Sequence, residues 1–295
     1  MMSQSQSIEL LRTISRREQS CYLPPSFGRG EVDGAAFQRY LGWRQDMTTW
    51  LLVTADLYGI HPSTVEAAQS MLDRLSSLDH DITEDFEMFQ VSCLVCLLIA
   101  CKSFETKRTM KKSKIRDLIK EFFSEEEIDS MELHVLYSLR WRTQAPTSID
   151  IADMLLDLVP FDLIPDRLQI MERTVKSLRI ALVDSRFVTY RASSRALASV
   201  LLSLQNILKP EPFRAIQLQM EDALNYQEAF DGELERLQTM LVAETTRTSD
   251  TCCRTTTFYK AFRHSKRSRW NLSHQIYGSE LTNLDISPRS VMTEN

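Results

Sequence analysis

Glycine is scarce in this sequence, with seven residues in a chain of 295. None of them lies between Gly59 and Gly232, and the breaks in that stretch are made by prolines instead. Sheet proteins need frequent turns in which glycine is favoured, so this spacing argues against strands and in favour of helices. Apolar residues recur at helical spacing through the same stretch, which also indicates an all-α chain.

Long apolar runs are absent too. The longest, residues 91–101, is too short to cross a membrane and stops at Lys102. The N-terminus is polar and carries no secretory pattern, so we expect the six cysteines to be reduced thiols of a cytosolic or nuclear protein. Cys93 and Cys96 form a C-x-x-C, but no second pair completes a zinc site. Core packing is the preferred interpretation, and a metal or redox role is the alternative.

The sequence also lacks a basic body and a catalytic pattern. Its net charge is −5, although residues 245–295 hold eight Lys/Arg against four Asp/Glu, so the rest of the chain is strongly acidic. Such a body does not suit nucleic-acid binding as the main function. The five histidines are scattered, and there is no His-Glu-x-x-His, nucleophile elbow or phosphate loop. We therefore predict no enzyme activity, no metal, no cofactor, no nucleic-acid partner and no membrane partner.

Apolar periodicity predicts two blocks of five helices, divided near Pro146. The predicted helices cover residues 44–58, 62–76, 84–102, 113–122 and 124–141, then 148–158, 166–182, 193–206, 212–220 and 226–241. The ends of the chain lose this periodicity and are predicted to be disordered. The expected divisions are a tail at 1–38, a first block at 39–145, a second block at 146–242 and a basic tail at 243–295.

Two charges lie on helix faces that should be buried. Lys102 directly follows the apolar run, and Glu132 sits in an apolar stripe made by Ile128, Met131 and Val135. A lone charge on a buried face is costly unless something pairs with it. The partner of these charges is either another protein or a local feature. The local alternatives are a lysine whose stem packs while its charge reaches water, and an ion pair within the domain.

The two helical blocks resemble the tandem cyclin boxes of the cyclin family, strongly in the first block and weakly in the second. In the first block the segments RQDMTTWLLV, HPSTVEAAQSMLDRLSS, QVSCLVCLLIACKSFET and MELHVLYSLRW carry the resemblance. Thr49-Trp50, residues 102–106 and the MEL…LRW segment are most similar to D-type cyclins. In the second block, YRASSRALASVLLSLQ resembles the central helix of a second box. The resemblance implies an all-α fold of tandem five-helix boxes with disordered tails.

Cyclins bind and activate cyclin-dependent kinases. The resemblance therefore implies a regulatory subunit that forms a heterodimer with such a kinase, acts in cell-cycle (G1/S) control and is found in the nucleus and cytoplasm. It also implies that Lys102 and Glu132 hydrogen-bond to the kinase beside its C-helix. Leu98, Leu136 and Trp141 are expected to supply apolar area around these two anchors.

Two further sets of residues follow from the resemblance. Arg44 and Asp73 match a buried pair that holds the first two box helices together, so their expected role is structural. Kinase substrates or inhibitors with an Arg-x-Leu motif would dock on a patch formed by Trp43, Met47, Trp50 and Gln90. Asp46 stands where the family pattern has an apolar residue, which leaves open an altered specificity or an ordinary amphipathic helix.

The C-terminal tail carries two candidate control elements. The basic cluster of Arg263, Lys266, Arg267 and Arg269 is typical of a nuclear import signal or of a solvated tail. Ser287 precedes a proline and is a candidate phosphorylation site. The Leu-x-Cys-x-Glu motif of D-type cyclins is absent. A transcriptional cyclin, a transcription-factor-IIB-like helical protein and a plain helical scaffold remain as alternative functions.

Overall fold

A computed structural model of the chain describes residues 4–25, 34–105, 111–164, 166–225 and 231–248. Within these residues the chain forms α-helices and two short 3-10 turns but no strand, which confirms the predicted all-α fold of two helical boxes. The helices are α1 (Gln4–Cys21), α2 (Gly34–Tyr58), α3 (Pro62–Ser76), α4 (Asp81–Glu84), α5 (Phe86–Phe104), α6 (Lys111–Lys120), α7 (Glu125–Ser138), α8 (Ser148–Leu156), α9 (Arg167–Val183), α10 (Ala192–Gln205), α11 (Pro210–Ala223) and α12 (Asp231–Thr248).

The first box comprises α2 to α7 and is built around α5. Asp85 caps α5, because its carboxylate accepts hydrogen bonds from the backbone N–H groups of Glu87 and Met88. Residues 89–101 are all buried, and α3 and α7 pack against them. Helix α5 is long and apolar enough to span a membrane, but 72% of its most apolar window is buried inside the protein. It is therefore the core helix of this box.

Local signals start and stop several helices of the first box. The side chain of His61 caps α3, and Ser124 forms a reciprocal capping box with Glu127 at the start of α7. Helix α2 ends at Tyr58 and is followed by Gly59, whose φ of 63° is readily adopted only by glycine. The predicted start of the first helix at residue 44 was too late, since α2 already begins at Gly34.

The second box comprises α8 to α12 and is built around α10. Helices α8, α9 and α12 surround α10, whose buried face is rich in Ala and Ser. The chain stays helical beyond residue 242, where the C-terminal tail was predicted to begin. Polar composition suggested a tail there, but the hydroxyls of Thr245 and Thr246 bond back to the carbonyl of Val242 within the helix.

The prediction of a disordered tail at residues 1–38 was wrong for its first part. Residues 4–21 form α1, which packs on α8 and α11 of the second box. Its buried residues are Ser7, Leu11, Ser15 and Glu18. Only one of these four is apolar, and a search for apolar periodicity does not recognise a helix whose buried face is polar.

Arginine contacts fix the two boxes to each other. They join Arg195 to Glu66 at 3.1 Å, Arg179 to Asp56 at 2.8 Å, and Arg44 to the carbonyl oxygen of Leu182 at 3.1 Å. In each case one partner belongs to the first box and the other to the second. The ends of α2, α3 and α9 are thereby held in one arrangement.

Candidate functional site

Lys102 and Glu132 lie next to each other on the surface of the first box. The Nζ atom of Lys102 donates to both carboxylate oxygens of Glu132, at 2.6 and 2.7 Å. The lysine side chain is 40% exposed and the glutamate side chain 17% exposed, so neither charge is deeply buried. The pair joins the last turn of α5 to α7. An internal ion pair thus describes the free chain, and contact with a partner stays a prediction.

The surface beside this pair is apolar. On α7, Leu133 is 53% exposed and Tyr137 is 68% exposed, and Leu136 is half-buried. Leu136 lies one turn after Glu132 and Tyr137 one turn after Leu133, so these side chains form two adjacent rows, because residues four apart stack on one side of a helix. Leu136 was predicted from the sequence, whereas Leu133 and Tyr137 were not. Their spacing on the side opposite the buried Ile128–Val135 stripe was the available signal.

Trp141 extends this surface beyond the end of α7. Its side chain is 62% exposed, and its ring centre lies 6.2 Å from that of Tyr137 in an edge-to-face arrangement. Arg140 and Trp141 have φ values of 50° and 59°, in the left-handed region that non-glycine residues rarely adopt. We call the exposed surface of Lys102, Glu132, Leu133, Leu136, Tyr137 and Trp141 the α5–α7 face.

Leu98 does not belong to the α5–α7 face. It is 1% exposed and lies in the core of the first box, so the prediction that it contacts a partner was wrong. Nearly every residue of α5 is apolar, and periodicity cannot tell which of them faces outward. Phe104, in the last turn of α5, is 37% exposed instead, at the edge of an open groove. In that groove Glu105 accepts a hydrogen bond from the backbone of His61 at 3.0 Å.

Arg44 and Asp73 form a buried bidentate pair. The Nε and Nη2 atoms of Arg44 donate to the two carboxylate oxygens at 2.7 and 2.8 Å. Burial lowers the pKa of the Arg44 guanidinium, but the carboxylate of Asp73 outweighs it and holds that pKa above its ordinary value. The third nitrogen, Nη1, donates to the carbonyls of Leu182 and Val183 at the end of α9. This contact with α9 was not predicted from the sequence.

The structure divides the predicted docking patch. Met47 is 1% exposed and Gln90 is also buried, so the prediction that they line an accessible patch was wrong. Met47 lies on the inner side of α2, whereas Asp46, the residue before it, lies on the outer side. Trp43 and Trp50 are half-buried, and Asp46 is exposed one turn from each of them. Partial desolvation raises the pKa of Asp46 above its ordinary value.

Cys93 and Cys96, which form the C-x-x-C, are free thiols in the core of the first box. Burial raises the pKa of the Cys96 thiol to about 12 and that of Cys93 well above its ordinary value. Thiols with raised pKa values stay protonated at neutral pH and are poor metal ligands and nucleophiles. In the part of the chain that the structure describes, no group of three or more His, Cys, Asp or Glu side chains is placed to hold a metal ion.

Comparison with known proteins finds a matching family and several relatives of this chain. The family model described as "Cyclin, N-terminal domain" matches residues 36–144. Cyclin-D1-2 of rice (Oryza sativa subsp. japonica) is 31% identical over 176 residues, which cover 57% of this chain and 47% of that protein. Cyclin-D2-2 of rice is 30% identical over 168 residues, covering 55% and 45%. The chain thus spans about half the length of the curated relatives that it matches.

Solved structures agree on the fold. A viral cyclin from herpesvirus saimiri superposes with a TM-score of 0.60 at 21% identity, over 80% of this chain and 97% of that one. A chain of the CAK complex from Chaetomium thermophilum superposes with a TM-score of 0.51 at 17% identity, over 100% and 93%. Identities this low show the fold alone. Residues 36–144 thus match the N-terminal domain of cyclins, and the chain is similar to the two D-type cyclins over 57% and 55% of its length.

Proposed function

We propose that this protein is the regulatory subunit of a cyclin-dependent serine/threonine kinase, which it binds through the α5–α7 face and activates. The observation that carries the proposal is an ion pair, Lys102 with Glu132, set in an exposed apolar surface. Large apolar side chains exposed side by side mark interaction sites in soluble proteins. Aromatic residues such as Tyr137 and Trp141 are enriched in the centres of such interfaces.

The proposed mechanism is a shift of the kinase population. A kinase is active when its strand lysine pairs with a glutamate of its C-helix, which depends on where that helix lies. A rigid surface that binds the C-helix only in its active position favours that position. Converting a kinase from 1:99 to 99:1 active requires a preference of about 5.5 kcal/mol. In this mechanism Lys102 supplies donors, Glu132 supplies acceptors, and the chain itself performs no catalysis.

A pull-down tests the proposal. The tagged protein is recovered from its own cell extract and assayed for protein kinase activity, beside a Lys102→Ala/Glu132→Ala variant. We expect the native protein to bring down a kinase and the variant to lose it. The variant should keep its helicity and melting temperature, because surface ion pairs contribute only about 0–1 kcal/mol.

The chain offers a matched control for this experiment. Arg116 and Asp129 form another ion pair on the first box, at 2.8 Å between α6 and α7. The Arg116→Ala/Asp129→Ala variant should retain the kinase. Equal loss in both variants, or no kinase activity with the folded native protein, would contradict the proposal. A captured kinase that phosphorylates polymerase would favour a transcriptional cyclin, and DNA binding would favour the transcription-factor-IIB-like alternative.

A role at G1/S and residence in the nucleus and cytoplasm are finer parts of the proposal. The D-type relatives support the first. The basic cluster of the C-terminal tail and Ser287, which bear on location and turnover, lie outside the described residues. Two measurements test these points: the abundance of the protein in synchronised cells, and the distribution of a fluorescent fusion with and without residues 249–295. Constant abundance through the cycle would argue against G1/S control.

We also infer that Trp43, Asp46 and Trp50 contact substrates or inhibitors of the kinase. A carboxylate one turn from two half-exposed indole rings suits an arginine or lysine side chain, which gains an ion pair and cation–π contact. Binding of a labelled Arg-x-Leu peptide, followed by fluorescence anisotropy, tests this inference. We expect Asp46→Ala to weaken binding and Gln45→Ala, its exposed neighbour, to leave it unchanged. Binding that is indifferent to Asp46→Ala would rule the inference out.

A further inference from the structure

Helix α10 lacks an N-terminal cap of its own. An N-cap is normally the side chain of the residue just before the helix, and here that residue, Arg191, makes no capping hydrogen bond. The carboxylate of Glu18 takes this place. It accepts hydrogen bonds from the backbone N–H of Ser193 at 3.2 Å and from its Oγ at 2.5 Å. The central helix of the second box is therefore capped by α1, from the other end of the chain.

Helix α1 is bound to the second box along its whole length. Leu11 is fully buried in the apolar core of that box. At one end, Nε2 of Gln4 donates to the carbonyl of Leu158 at 3.1 Å. Near the other end, Oγ of Ser15 donates to the carbonyl of Leu224 at 2.6 Å. These contacts place α1 across the ends of α8 and α11 and over the start of α10.

The residue after α1 reaches the first box. The guanidinium groups of Arg17 and Arg74 both lie over the ring of Tyr22, at 5.5 and 5.1 Å from its centre. Arg74 belongs to α3. The contact of Tyr22 with the first box is thus an aromatic ring packed on an arginine, whereas the contact of α1 with the second box includes a core residue and a helix cap. No residue of α1 belongs to the buried core of the first box.

We propose that α1 is a conformational strap that completes the second box, and that Glu18 is the latch that couples the N-terminal segment to α10. With α1 docked, the first turn of α10 has its cap and the second box has all of its core. When α1 leaves, the second box loosens, while the first box and its α5–α7 face stay folded on their own caps and core. Removal or modification of the N-terminal segment therefore acts on one box and spares the other.

Hydrogen exchange measured by mass spectrometry tests the latch. Glu18→Ala should speed exchange of the α10 amides at residues 192–195 by about tenfold, the effect of losing an N-cap. Glu18→Gln should keep most of the protection, because an amide oxygen still accepts hydrogen bonds. Arg12→Ala, on the same helix as Glu18, is the control, since it breaks an exposed ion pair with Asp222 of α11 and should leave α10 exchange unchanged. Amides of α5 should exchange equally slowly in all four proteins.

A chain that is cut only after folding tests the strap, because no truncated protein then has to fold on its own. A protease site is inserted after Pro25, and the chain is cut once folded. We expect the α1 fragment to elute with the rest of the protein, and the fragment carrying Glu18→Ala to dissociate with loss of α10 protection. An added peptide of residues 1–25 should restore that protection. Kinase capture is measured in parallel and should persist, so failure of this proposal is distinguishable from failure of the kinase assignment. Unchanged α10 exchange after α1 is lost, or equal acceleration in α5, would overturn the proposal.

Discussion

The two boxes share a plan but start their helices differently. In the first box the caps come from adjacent sequence, as with Asp85 before α5 and Ser124 before α7. In the second box α8 and α9 also have local caps, Thr147 and Asp166. Two of its helices receive carboxylates from outside the box as well: Glu66 of α3 at the start of α8, and Glu18 of α1 at the start of α10. The second box thus depends, beyond its local caps, on contacts with other parts of the chain.

Glu66 shows how complete such an external cap can be. Its carboxylate accepts from the backbone N–H of Ser148 at 2.9 Å, from its Oγ at 2.5 Å and from the N–H of Ile149 at 3.3 Å. Arg195 of α10 donates a fourth hydrogen bond at 3.1 Å. A buried carboxylate is tolerated when its lone pairs are satisfied in this way. One side chain of the first box therefore organises two helices of the second.

Replacing Arg44 should reduce stability the most, since its guanidinium forms hydrogen bonds to both boxes. In Arg44→Ala, Asp73 is left as an unpaired buried charge, and the carbonyls that end α9 lose their donor. We expect a loss of about 3–5 kcal/mol in the free energy of unfolding, measured by urea denaturation. Arg179→Ala removes an exposed bridge between the boxes and should cost less than about 1 kcal/mol. Similar losses in the two variants would contradict a shared, buried role for Arg44.

Removing the Glu66 cap should destabilise the second box more than the first, so that the two boxes unfold in separate transitions. In Glu66→Ala the first turn of α8 loses its external acceptor, and Arg195 becomes a largely buried unpaired cation. We expect a loss of about 2–3 kcal/mol, concentrated in the second box. Two transitions in urea, resolved by hydrogen exchange in α8 and in α5, would show this uncoupling. A single transition that shifts equally for both helices would mean that the boxes unfold as one unit.

Local signals explain what could be predicted from the sequence. The start of α3 was predicted from Pro62, which is favoured in a first turn, and that of α7 from the capping box of Ser124 and Glu127, and the structure has both there. Lys102 and Glu132 were recognised as charges on apolar faces. That they pair with each other was left open, because the packing of α5 on α7 brings together residues thirty positions apart.

Tertiary packing explains what could not be predicted. Helix α1 was missed because its buried face holds Ser15 and Glu18, whose partners lie more than a hundred residues away. Leu98 and Met47 were assigned to surfaces on the resemblance to cyclins, which does not show how exposed a side chain is in this chain. Only the neighbouring helices decide which apolar residue is covered. Leu133 and Tyr137 differ, because their spacing on the side of α7 opposite its buried stripe was a signal that the sequence offered.

The pH dependence of stability should also distinguish the external caps. Burial raises the pKa of Glu18 above its ordinary value of 4.5, although Ser193 opposes the shift. The folded state then binds this proton more tightly than the unfolded state. The resulting stabilisation is full below the unfolded pKa and is lost as the pH rises through the raised folded pKa.

Glu18→Gln removes this proton and therefore tests the sign. In urea denaturation from pH 4 to pH 7, the stability of the native protein relative to the variant should fall as the pH rises. A difference that stays constant, or that grows with pH, would show that Glu18 is not held in a desolvating site. Glu9, an exposed acid on the same helix, supplies the control variant Glu9→Gln, and we expect its difference from the native protein to lack this fall.

The smallest expected effect lies within the first box, at the left-handed turn after α7. Arg140 is exposed and has a φ of 50°, a conformation that costs a non-glycine residue about 1–2 kcal/mol. Arg140→Gly should raise the free energy of unfolding by about 0.5–1 kcal/mol, less than the full relief because glycine also gains freedom in the unfolded chain. Arg142→Gly, at an exposed position without positive φ, should lower the free energy of unfolding instead.

If Arg140→Gly stabilises the first box, the native residue maintains a strained turn that stability alone does not favour. Because the same turn exposes Trp141 beside Tyr137, that result would favour selection of the turn for the α5–α7 face. A loss of stability in Arg140→Gly would show that the arginine side chain contributes more than the turn costs.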